Sequence, residues 1–191
     1  MNQVEKRSNK GFTLTEMLVT MLIVVMASTL LATGVPTAIE AYKKTVSSAN
    51  AQVALTTTTS ALRAELGLAT EVRVKNGAIY YVGDEGCWVK IANSGPNDFG
   101  RGLTKTYCKG DFSSTGEPPE DDPTTYDLVP RASVTDDLHV EFALPGKQEV
   151  SNALTLQEVK VRDRDGNPLA SVGGTDYQYR ILTRFADVGG D

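Results

Sequence analysis

From Met17 to Ile39 the chain runs through MLVTMLIVVMASTLLATGVPTAI without one charged side chain. As a helix that run would extend about 34 Å, enough to cross the hydrocarbon core of a bilayer. It constrains everything else, because the segment must lie in lipid, pack on other apolar helices, or be removed as a signal sequence. Lys6, Arg7 and Lys10 precede it. A basic near side keeps Met1 in the cytoplasm and sends the remainder across the membrane. Lys43 and Lys44 on the far side weaken that bias without cancelling it. Ala32-Thr33-Gly34 is a serviceable small-residue cleavage site, so a secretory signal peptide is the alternative. Glu16 stands against it. An acid inside a membrane segment costs roughly 2.5–3.5 kcal/mol and usually has a partner.

The acid belongs to the string Lys10-Gly11-Phe12-Thr13-Leu14-Thr15-Glu16. This resembles the N-terminal signature of type IV pilins and type II secretion pseudopilins, over about residues 7–40. The resemblance implies that a prepilin peptidase cuts after Gly11 on the cytoplasmic side and N-methylates Phe12. The apolar segment then stays attached and forms the core of a filament. Physical chemistry agrees with these residue types. Gly11 lets an extended backbone enter a protease cleft unhindered. The new amine of Phe12 is a cation in apolar surroundings, and Glu16 is an anion that can neutralise it on a neighbouring subunit. Pro36 lies a little further along than the helix-kinking proline common in major pilins, so the family's details of the kink are not assumed here.

Ile39, Tyr42, Val46, Ala49 and Val53 recur at spacings of three and four, one face of a continuing helix. Leu55, Leu62 and Leu66 fall on a face turned by roughly half a turn at ~100° per residue. The change reads as a change of partner, the first stripe facing neighbouring helices and the second the chain's own head. Irregular packing against a single core is the alternative. Gly34-Val35-Pro36 is expected to kink or open the helix, and the β-branched run Thr56–Thr59 to weaken it. Gly67 should end it. The divisions that follow are a leader at 1–11, a helix over 12–66 crossing the membrane at about 14–39, and a β-rich head from 67 to 191.

In the head, Glu71–Lys75, Asn76-Gly77 and Ala78–Val82 form a hairpin signal with a two-residue turn. Counting outward pairs Val74 with Ile79 and Val72 with Tyr81 on one face. Further strands are expected at Cys87–Ile91, Leu138–Leu144, Leu154–Val161 and Tyr177–Leu182, with the alternation slipping near Gln157. The Gly/Pro/acid-rich stretch from Asn93 to Arg131, including Glu117–Pro123, reads as a surface loop. His139 has the opposite parity to Leu138 and Val140 and reads as an exposed strand residue.

Cys87 and Cys108 enclose a loop of about twenty residues, and in an exported head a disulfide is expected, worth roughly 3 kcal/mol. Two unrelated buried thiols are the alternative. Asp163-Arg-Asp-Gly-Asn167 looks like a fragment of a calcium loop, and some pseudopilins bind calcium. It lacks the downstream bidentate acid, however, and Asp-Gly is a turn signal itself, so no metal is expected. The chain has two cysteines and one histidine. With so few, no nucleophile–base pair can be assembled, and neither an enzyme nor a cofactor is expected. Residues 67–191 carry thirteen Lys/Arg against twenty acids. That acidic head repels phosphate, so direct nucleic-acid binding is not expected.

The combined expectation is an α+β, pilin-like protein, a non-catalytic filament subunit leaning towards a minor one. Its partners would be the prepilin peptidase, other pilin or pseudopilin subunits, the membrane assembly machinery and the lipid bilayer. It would rest in the cytoplasmic (inner) membrane as a single-pass protein, with its head outside, and reach the cell surface on assembly. The competing classes are a membrane-anchored extracellular binding protein that never polymerises and a secreted hydrolase.

Overall fold

The computed structural model describes residues 12–83, 85–113, 118–130, 134–145, 153–174, 179–182 and 188–190. Its contacts divide the chain into two compact units, Met1–Thr45 and Val46–Asp191. The fold is α+β, one long N-terminal helix followed by mostly antiparallel sheets.

Helix α1 covers Leu14–Gly67 without interruption, ending at the expected glycine. It passes Gly34-Val35-Pro36 and Thr56–Thr59, where the sequence predicted opening and weakening. The threonines are accommodated by bonding back onto the helix. Thr56, Thr57 and Thr59 donate their hydroxyls to the carbonyls of Gln52, Val53 and Leu55. Within the first unit the large apolar side chains from Leu14 to Ile39 are at least half exposed. An eighteen-residue window there has a mean hydropathy of 2.3 and nothing buried. Its hydroxyls need no outside partner. Thr20, Ser28, Thr29, Thr33 and Thr37 bond to Met17, Val24, Met26, Thr29 and Thr33 carbonyls at 2.7–3.1 Å. A helix surface that is apolar and internally satisfied in this way suits a solvent that cannot hydrogen-bond.

The second unit begins with the remainder of α1. Ala51, Ala54, Leu55, Thr58, Leu62 and Leu66 are buried, while Val46, Ala49 and Val53 are exposed. The two stripes therefore do separate by burial in this part of the helix. The buried stripe packs with a six-stranded sheet, in the order β11-β1-β2-β3-β4-β5. Its strands are β1 Glu71–Lys75, β2 Ala78–Val82, β3 Trp88–Ala92, β4 Thr104–Lys109, β5 Glu120–Asp127 and β11 Val188–Gly190. The hairpin register is as counted, Val74 opposite Ile79 and Val72 opposite Tyr81. Asn76 and Gly77 have φ of 52° and 73°. These are the left-handed values a two-residue primed turn requires.

Two strands occupy the stretch predicted to be a surface loop. β4 places Thr106 and Cys108 on one face and Lys105 and Tyr107 on the other, the period-2 pattern of a strand. β5 contains Pro123 and four acids, which argue against a strand on composition. It succeeds because it is an edge. Proline there forfeits no ladder bond to a further strand, and the pairing with β4 is irregular between Thr106 and Cys108. Lys90, Lys109 and Arg101 neutralise Asp121, Asp122 and Asp127.

A three-stranded sheet, β6-β8-β9, comprises β6 His139–Ala143, β8 Glu158–Arg162 and β9 Pro168–Gly173. β7 Ala153–Leu156 pairs instead with β10 Tyr179–Leu182. The slip at Gln157 is thus a joint where the chain changes sheets. Gln157 donates its N–H to the Ala143 carbonyl and accepts from Gly174 N–H. The predicted start of β10 at residues 177–178 lies outside the described residues. Asn93 closes the gap between sheets, its side chain accepting from Phe142 N–H and donating to Phe142 O, both at 2.9 Å. A side-chain amide here replaces a neighbouring strand on the outer edge of β6.

Candidate functional site

The candidate site is the start of α1. Phe12 and Thr13 precede the helix, and Phe12 is 76% exposed. Gly11 and the other residues of the expected leader, 1–11, lie outside the described residues. Thr13 is the N-cap. Its hydroxyl oxygen accepts from Glu16 N–H at 3.3 Å, and its carbonyl accepts from the N–H groups of Glu16 and Met17 at 3.1 and 3.2 Å. Thr13 and Glu16 stand in the Ser/Thr-x-x-Glu relation that suits a helix start. Glu16 is exposed in the first turn, an anion at the positive end of the helix dipole. Sequence reasoning gave Glu16 an intermolecular role and overlooked Thr13, although the Thr-x-x-Glu spacing was there to be read.

The two cysteines are free thiols here, contrary to the expected disulfide. Strand parity separates them. Val89 pairs with Tyr107, so the adjoining residues Trp88 and Cys108 share the opposite face, where they pack with Tyr80. Cys87 instead lines a cleft on the helix side with Val89 and Tyr107. Burial, reinforced by the Asp121 carboxylate, pushes the Cys108 thiol up to about 11.

That cleft is organised by Glu65, near the C-terminal end of α1, where a negative charge opposes the helix dipole. Lys105 donates to both of its carboxylate oxygens at 2.9 Å, and the Tyr81 hydroxyl donates to one. Burial acts to raise the Glu65 pKa, but the bonds from Lys105 and Tyr81 outweigh it and hold it below the ordinary carboxylate value. The same surroundings, burial first and then the Glu65 carboxylate, raise Tyr81 far above an ordinary phenol. These three polar groups are taken up by one another, which ties the helix end to β2 and β4.

Asp163 forms a turn. Its carboxylate accepts from Asp165 N–H, Asn167 N–H and the Asn167 side chain at 2.8–3.1 Å. Among the described residues no group of three or more His, Cys, Asp or Glu is placed to hold a metal ion. His139 is 1% exposed, which corrects its reading as a surface residue. The segment around Asp98 covers that face of β6: Nδ1 of His139 lies 3.3 Å from the Asp98 carbonyl oxygen, and the ring stacks edge-on with Phe99.

An apolar N-terminal helix long enough to cross a membrane, carrying an acid in its first turn and joined to a β-rich unit, defines an α+β protein of pilin-like architecture. The comparison with known families is specific at that helix start. Residues 6–32 match the prokaryotic N-terminal methylation motif, which is characteristic of type IV pilins and pseudopilins. No curated protein and no solved structure matches the chain.

Proposed function

We propose that the chain is the precursor of a structural filament subunit of the type IV pilus or type II secretion kind. A prepilin peptidase removes residues 1–11 by cutting after Gly11 and methylates Phe12. The protein waits in the inner membrane with its N-terminus in the cytoplasm and its β-rich head outside. It then joins other pilin or pseudopilin subunits through α1, where Glu16 neutralises the amine of a neighbour's Phe12. The role is structural, not catalytic.

The observation that carries this reading is the bare apolar surface of α1 from Leu14 to Ile39 beside the methylation motif. So much exposed hydrocarbon needs lipid or other helices around it. The mass of the mature N-terminus tests it. N-methyl-Phe12 supports the proposal, an intact Met1 favours a simple anchor, and a start near Val35 indicates a signal peptide. Assembly is tested with Glu16→Ala, which should still insert and be cleaved. It should be depleted from sheared filaments, because a neighbour's buried amine loses its anion at a cost of about 3–5 kcal/mol. Equal recovery of wild type and variant in that fraction would remove the pairing role.

A further inference from the structure

We infer that Thr13 is a positioning residue for leader removal: by capping α1 it holds Phe12 outside the helix, in the form a peptidase can accept. The inference rests on the precursor reading above and adds a determinant to it. The first turn of α1 closes on Thr13 through its hydroxyl and its carbonyl, at 3.1–3.3 Å from the Glu16 and Met17 amides. The Thr15 hydroxyl, 3.1 Å from Thr13 Oγ1, supports the cap from the side. The helix consequently begins at Leu14, one residue beyond the cap and two beyond Phe12.

That boundary matters for a protease. A peptide bond inside a helix has its carbonyl and N–H already bonded along the axis. A substrate drawn into a cleft in extended form needs those groups free. Ser8 and Asn9 upstream are residue types that can also cap a helix. Replacing Thr13 with alanine removes the present cap and supplies a better helix former, so the start of α1 is released to move towards the leader.

The test uses the full chain in membrane vesicles with purified prepilin peptidase, following leader loss by mass. Thr13→Ala and Thr13→Val should be cleaved about fivefold more slowly than wild type, which corresponds to about 1 kcal/mol for a lost cap. Thr13→Ser and Thr13→Asn, both good caps, should restore the rate. Carbon chemical shifts of Phe12 should turn helical in Thr13→Ala and Thr13→Val and stay non-helical in wild type, Thr13→Ser and Thr13→Asn. Cleavage of the alanine and valine variants at the wild-type rate would overturn the inference and leave the precursor reading intact. So would a slow Thr13→Asn beside a fast Thr13→Ser, which would mean that the enzyme reads the hydroxyl and not the cap. Wild type left uncut between Gly11 and Phe12 would overturn the precursor reading, and this inference with it.

Discussion

Asn93→Ala should loosen the head by separating β6 from the six-stranded sheet. In the native protein the Asn93 amide satisfies both backbone groups of Phe142, each at 2.9 Å. β6 is an outer strand of its sheet, so no further strand stands ready to replace that amide. The Phe142 side chain is buried in the main core, which prevents the strand from turning its backbone to solvent cheaply. Each orphaned backbone group costs about 1–3 kcal/mol. The bonds are only part-buried and water can reach them in part, so the expected loss is about 2–4 kcal/mol, the lower half of the summed range. Asn93→Asp should recover little of it. Its oxygen can still accept from Phe142 N–H, but its second oxygen then faces the Phe142 carbonyl. The assay is urea unfolding of the full chain in detergent, followed through Trp88, which is the chain's one tryptophan and lies on β3. Hydrogen exchange at the Phe142 amide serves as the local readout. An unfolding midpoint within about 0.5 kcal/mol of wild type, with Phe142 still protected, would refute the bridging argument.

Gly173 has φ of +89°, and a Cβ there would meet the Gln157 carbonyl oxygen at 2.5 Å. Gly173→Ala should therefore cost about 2–5 kcal/mol from backbone strain and overpacking, measured by the same denaturation. Thr58 is fully buried, and its hydroxyl has no hydrogen-bond partner among the described residues. Thr58→Val keeps the shape, removes the unsatisfied group and should raise stability by about 1 kcal/mol; a loss would show that the hydroxyl is bonded. Glu65 is held below its ordinary value of 4.5 in the fold. Its contribution of about 1 kcal/mol, discounted for partial exposure, is present above pH 4.5 and disappears as pH falls through the lowered folded value. The stability gap between wild type and Glu65→Gln should close over that acid window. A gap independent of pH would assign it to packing instead.

What could be read from the sequence is local in origin. An uncharged run at membrane length, a Gly-Phe-Thr-x-x-Glu start and an Asn-Gly turn each act over a few residues. The apolar run is helical and the Asn-Gly turn sits where expected, down to the Val72–Tyr81 register, while Gly11 lies outside the described residues. The helix also ran on through Pro36 and four consecutive threonines, because a long helix outvotes single weak positions and threonine hydroxyls can bond to the preceding turn. At the candidate site the methylation motif and the Thr13-x-x-Glu16 spacing were both legible, whereas the bonds that close the cap appear only in the structure.

The remainder was decided between residues far apart in the chain. β5 is a strand despite Pro123 and its acids because it lies at a sheet edge beside Lys90, Lys109 and Arg101, a neighbourhood no short window contains. His139 is buried because the segment around Asp98, forty-one residues earlier, covers that face of β6. Cys87 and Cys108 are near in the sheet yet on opposite faces, because pairing parity is fixed only when β3 and β4 meet. Turns, caps and spans depend on short-range sterics and hydropathy, which a sequence displays directly. Edge position, facial burial and thiol pairing depend on which strands become neighbours, and that is settled by the packing of the whole head.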